Sequence, residues 1–117
     1  MAGPGRALRD AAFAAVQCVP LRPPAQVAQL GFLAGPDRPA RLAAFLAGYG
    51  AVGVGDLVAE ALAGMAVDIT KMENRGAMGL EPWATWRRRG LVARETEARS
   101  WLERSAAGLI IATRAMG

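Results

Sequence analysis

Residues Leu42 to Val67 read LAAFLAGYGAVGVGDLVAEALAGMAV, an apolar run of membrane length interrupted only by Asp56 and Glu60. A helix rises about 1.5 Å per residue and a bilayer core is roughly 30 Å thick, so such a run either spans a membrane or forms the buried central helix of a small bundle. The two acids bear on that choice. A mid-helix Asp costs about 2.5 to 3.5 kcal/mol in an inserted helix, whereas each Leu, Val, Ile or Phe returns only ~0.3 to 0.6. The nine strong apolar groups of the run (Leu42, Phe45, Leu46, Val52, Val54, Leu57, Val58, Leu62 and Val67) therefore offset one acid and not two. A solitary helix facing lipid is disfavoured, and a helix with one face committed to protein is favoured.

That face can be read from spacing. Ala47, Ala51 and Gly55 recur every four residues, a small-residue seam along which a second helix could approach closely. Asp56 and Glu60, also four apart, share a stripe with Tyr49, Gly53, Gly64 and Val67. Acids inside a membrane point to an ion or proton site. The plainer alternatives are an acid pair neutralised by an Arg or Lys of a neighbouring subunit, or a wet face. Gly48, Gly50 and Gly53 match the spacing of a dinucleotide fingerprint, but that motif needs a strand before it and a helix after it. The Ala- and Leu-rich stretch ahead of these glycines favours helix, so they read as part of the packing seam. The segment Gly53-Val54-Gly55-Asp56-Leu57-Val58 resembles, over about fifteen residues, the first membrane helix of a four-span membrane-protein family. This resemblance implies a membrane setting. No second or third span is present, so no functional residue carries over.

Composition narrows the chemistry. The 117 residues suit one domain, with 53% hydrophobic but only 6% aromatic residues, so the core is thin and partner surfaces are expected to supplement it. Mean hydropathy is +0.20. Histidine is absent and Cys18 is the lone cysteine, which removes the usual ligands of zinc, haem iron, copper and iron–sulfur clusters and any imidazole base. The expectation is no metal, no cofactor and no catalytic residue. Cys18 itself reads as a buried, inert thiol. The net charge of +4 is uneven: residues 1–80 hold seven basic and six acidic groups, residues 81–117 seven basic and four acidic.

No strand-like alternation persists, and the fold class is all-α, a single helical unit over 1–117. Residues 1–35 form an N-terminal helical and Pro-rich segment, with Pro20, Pro23 and Pro24 closing a first Ala-rich helix and a short helix from about Ala25 to Leu33. Arg6 and Arg9 on that Ala-rich start resemble an organellar targeting segment, although Asp10 and the lack of Ser or Thr do not. Asp37 is placed as the N-cap of a long apolar helix over 37–70, with its weak point at Gly48 to Gly55. A loop is expected over 71–80. An amphipathic basic helix follows over 81–116, with Gly90 and Gly108 as candidate breaks. Its inner face carries Leu91, Ala98, Leu102, Ser105, Leu109 and Ala112, and Glu95 and Arg99 form an i,i+4 pair on the wet side.

Trp83, Trp86, Arg87, Arg88 and Arg89 combine interfacial rings with a guanidinium block. Such a set serves lipid headgroups, RNA phosphates or acidic protein partners. The functional expectation is a non-catalytic accessory subunit of a membrane complex, of the respiratory or ATP synthase type in the mitochondrial inner membrane, contacting other subunits and anionic lipid. The alternative is a soluble helical adaptor or ribonucleoprotein component that binds RNA or an acidic protein through Arg87, Arg88 and Arg89.

Overall fold

A computed structural model describes residues 4–32, 35–49 and 52–116, and every regular element in it is helical. The order is α1 (Pro4–Cys18), α2 (Pro24–Gln29), α3 (Arg38–Tyr49), α4 (Val54–Ala77), α5 (Trp83–Arg88) and α6 (Leu91–Met116). The all-α expectation holds, while several boundaries differ.

The long apolar helix over 37–70 is two helices. Asp37 caps the first, accepting the Ala40 amide at 3.1 Å, but α3 ends at Tyr49, and Gly53 is extended (φ −81°, ψ 147°) as the residue before α4. Among the described residues no single helix is long and apolar enough to cross a membrane; α3 and α4 qualify only as a pair, bent by 98°. Each interior Gly costs a helix up to about 1 kcal/mol, and the four glycines between 48 and 55 make this the cheapest place to break. The short helix after the prolines ends at Gln29, and Leu33, its expected limit, lies outside the described residues.

The expected loop over 71–80 is instead mostly helix. Helix α4 continues to Ala77 because Met72 and Gly76 remain on its buried side, while Glu73, Asn74 and Arg75 face outward. The expected helix over 81–116 is divided at Gly90, whose φ of +79° only glycine adopts without strain. Gly108 lies within α6 without breaking it.

Helix α4 is the centre of the molecule. Leu57, Val58, Ala61 and Met65 face Ala11, Ala12, Ala15 and Val16 of α1 and Ala98, Leu102 and Leu109 of α6, and Leu42 of α3 closes the cluster. Alanine on α1 allows close approach, and each fully buried Leu contributes roughly 1.5–3 kcal/mol. Val19 and Leu21, in the proline-rich link, are also buried. The carbonyls left free there by the prolines are taken up by two α3 arginines: Arg38 donates to Pro20 O (3.2 Å) and Arg22 O (2.8 Å), Arg41 to Val19 O (2.7 Å) and Cys18 O (2.6 Å). Orphan carbonyls at a helix end need such donors. Cys18, expected to be buried, is exposed, because the core face of α1 is carried by the alanines and Val16.

Candidate functional site

The residues singled out in the sequence fall in three places. The Ala47, Ala51, Gly55 seam is not one face: Ala47 is exposed on α3, Gly55 lies in the first turn of α4, and Ala51 is outside the described residues, as is Gly50 of the glycine motif. A Cβ on Gly55 would meet Arg114 Nη2 of α6 at 3.7 Å, an ordinary contact with a side chain of α6.

Asp56 and Glu60 separate in role. Asp56 is exposed in the first turn of α4, with its carboxylate 3.8 Å from where a Gly53 Cβ would stand. An acid there complements the positive end of the helix. Glu60 faces Arg9 of α1, with Nε to Oε1 at 3.9 Å, a partner within the same chain. Exposed pairs of this length contribute little stability.

The aromatic and basic cluster forms a corner between α4 and α5. The chain turns at Gly79 (φ +77°), flanked by Met78 and Leu80, which are 72% and 46% exposed. Gly76 brings α5 close, since a Cβ there would stand 2.9 Å from Arg87 Cδ and 3.0 Å from Trp83 O. The Arg75 guanidinium covers the Trp83 ring at 4.7 Å. Glu81 starts α5 by accepting the Thr85 amide at 2.8 Å and the Thr85 hydroxyl at 2.7 Å, and Arg88 reaches Glu81 at 3.6 Å. The Thr85 hydrogen bonds, with Arg88 beside them, hold the Glu81 carboxyl below the ordinary glutamate range. Trp86, Arg87, Arg88 and Arg89 are all exposed, as are Met78 and Leu80 at the preceding turn.

A polar network that the sequence did not reveal lies beside this corner. Arg22, between prolines, has a side chain only 7% exposed and donates to both carboxylate oxygens of Glu95 (2.8 and 3.4 Å) and to Gln26 Oε1 (3.1 Å). Gln26 Nε2 donates in turn to Arg94 O at 2.9 Å, fixing α2 to α6. The expected Glu95–Arg99 pair is therefore absent, and Arg99 bonds Glu103 at 2.9 Å and Leu62 O at 3.2 Å instead. A bidentate partner in a protected site outcompetes an exposed neighbour on the helix. The signal available in advance was an arginine among three prolines, where few backbone amides exist to satisfy a buried acid.

Arg22 and Glu95 also form the junction of an open groove with two lobes. One, of about 520 Å³, runs between α1 and α4 past Phe13, Ala61, Gly64 and Val67; the other, of about 490 Å³, runs past Leu30, Met72, Trp83 and Trp86 towards α6. Phe13, Gln17 and Asp68 stand at the junction with them. Burial in the groove wall pushes the Asp68 carboxyl above its ordinary value, against the pull of Lys71 and assisted by Glu95. Among the described residues no group of three or more acids or cysteines converges as a metal site would require. Compared with protein-family models, curated proteins and solved structures, the chain finds no match.

Proposed function

We propose that this chain is a non-catalytic accessory subunit of a membrane complex that lies against the bilayer surface and supplies helix packing and lipid contact. The observation that carries the reading is the α4–α5 corner, where exposed Met78, Leu80 and Trp86 share one tip with Arg87, Arg88 and Arg89. Apolar side chains enter the headgroup boundary there while guanidinium groups meet lipid phosphates. Ile111, exposed in the last turns of α6, offers an apolar contact for a neighbouring subunit. The host class, a respiratory or ATP synthase assembly of an organellar inner membrane, rests by analogy on helical content and positive charge.

The test is co-sedimentation with phosphatidylserine-containing vesicles against pure phosphatidylcholine. Each arginine near an anionic surface is worth about 1 kcal/mol, so replacing Arg87, Arg88 and Arg89 with Gln is expected to weaken binding at least about tenfold. Binding should also fall with added salt. Equal binding to both vesicle types would refute the reading. The same guanidinium block supports a second reading, RNA or an acidic protein as its partner, and RNA that displaces the vesicles at low concentration would favour it.

A further inference from the structure

The lobe beside α5 contains two guanidinium groups with a donor left over. Arg22 spends its terminal nitrogens on Glu95 and Gln26, yet its Nε is buried with no partner. Arg94 Nε is likewise buried and unpaired. Both residues line this lobe, and Gln26 ties them together, accepting from Arg22 while donating to the Arg94 carbonyl. Buried donors are almost always satisfied, so these two nitrogens, sealed from solvent, are exceptions; the terminal nitrogens of Arg94, in the same lobe wall, join no hydrogen bond among the described residues and stand ready for an acceptor.

The charges around them favour an anion. Glu95 is held by Arg22, and Arg94 is the cation of the lobe that joins no ion pair among the described residues; Asp68, at the junction, joins none either, but burial pushes its carboxyl above the ordinary value, towards the uncharged form. The remaining wall is apolar and aromatic: Phe13, Leu30, Met72, Trp83, Trp86 and Leu91. Its volume of about 490 Å³ lies within the range of small-molecule sites, where an apolar lining carries a few placed polar groups.

We propose that this lobe binds a single-chain amphipathic anion, a fatty acid carboxylate or a monoalkyl phosphate. Its head is taken by the Arg94 guanidinium, and its chain lies along Met72, Leu30 and the two tryptophans. A charge-assisted hydrogen bond to the head supplies orientation, since such bonds are about twice as strong as neutral ones. The apolar wall supplies the rest of the affinity. Trp86 borders both this lobe and the α4–α5 tip, but Arg94 belongs to the lobe and not to the tip, and a free amphiphile tests the lobe without any bilayer.

The experiment titrates the full chain, in detergent-free buffer, with dodecanoate and with dodecyl phosphate below their aggregation concentrations. Calorimetry and tryptophan fluorescence read the binding, because Trp83 and Trp86 form the wall. Saturable one-to-one binding of either anion is expected, and the stronger of the two identifies the headgroup chemistry. Dodecyltrimethylammonium, with the same chain and a cationic head, should bind at least about tenfold more weakly, and inorganic phosphate should not bind measurably. Arg94→Gln should lower the affinity for the anion at least about tenfold with an unchanged circular dichroism spectrum, since loss of one charge-assisted contact is worth about that factor. The fold is expected to survive because Gln26 bonds the Arg94 backbone and not its side chain. No binding of either anion, equal or tighter binding of the cation, binding of phosphate alone, or unchanged affinity in Arg94→Gln would each overturn the proposal.

Discussion

Two glycines of α4 in the same kind of backbone should respond to the same substitution with opposite signs. Gly64 has nothing within 4 Å of where a Cβ would stand, so Gly64→Ala gains helix propensity and should stabilise the protein by up to about 1 kcal/mol. At Gly76 the new methyl would stand 3.0 Å from the Trp83 carbonyl oxygen and 2.9 Å from Arg87 Cδ, and the carbonyl belongs to a backbone that α5 holds in place. Overpacking of this kind costs roughly 1–3 kcal/mol, which outweighs the propensity gain, so Gly76→Ala should destabilise. Urea unfolding of the two variants measures both, and a stabilised Gly76→Ala would show that the α4–α5 contact is looser than described. Neither sign is legible in the sequence, where Gly76 sits in a polar stretch that reads as a loop. The obstacle is general at this scale: Gly76 meets α5, and Arg22 meets Glu95 across 73 residues of chain. Local spacing instead assigned Glu95 to Arg99, its neighbour on the helix, and could not register the better partner.

Local chemistry does determine where the elements start and stop. Asp37 before α3 was readable from its place ahead of Arg38-Pro39, because caps depend on adjacent residues, whereas Gly90 stood only as one of two candidate breaks in a single helix, and Gly108, the other, breaks nothing. The inner face of α6 was readable too, with Ala98, Leu102 and Leu109 buried at helical spacing. The persistence of α4 through Lys71 to Ala77 was not, since polar composition hid Met72 and Gly76 on the continuing core side. The start of α5 yields a prediction of pH dependence. The Glu81 carboxyl lies below its ordinary range because Thr85 donates to it twice, so its ionised form is stabilised by folding. Such a group adds stability that is complete above the ordinary glutamate pKa and is lost as pH falls through the lower folded value. Helix α5 should therefore loosen in acid below the usual glutamate range, read as faster exchange of the Thr85 amide, and Glu81→Gln should abolish that pH step. Asp68 works in the other direction: its carboxyl is raised, so protonation favours the fold there and cannot produce the same acid loss. A Thr85 amide with no pH dependence in that window would remove the Glu81 account.

At the scale of the molecule, the apolar run that seemed long enough to cross a bilayer is used up inside the fold. Leu57, Val58, Ala61 and Met65 are buried between α1 and α6, and the bend between α3 and α4 brings Leu42 onto the same cluster. Among the described large apolar residues of the run, Tyr49 and Val67 remain exposed, Val67 in the groove wall. A span facing lipid and a helix buried in protein make different demands on those positions. In lipid, both Leu57 and Val67 would add to insertion by similar amounts, with little distinction between faces. In this fold, Leu57→Ala opens a cavity and should cost about 3 kcal/mol, while Val67→Ala at an exposed position should change stability by less than about 0.5 kcal/mol. Both effects should appear in detergent-free buffer as a shift of the urea midpoint with an unchanged slope, since the core is complete without a bilayer. The measurement bears on the proposed role as well, because a chain whose long apolar segment is satisfied internally has only its corner and its groove left for membrane and lipid. Equal losses at Leu57 and Val67, or cooperative unfolding seen only in detergent, would return the segment to the bilayer and with it a straight helix through the glycine-rich stretch between α3 and α4.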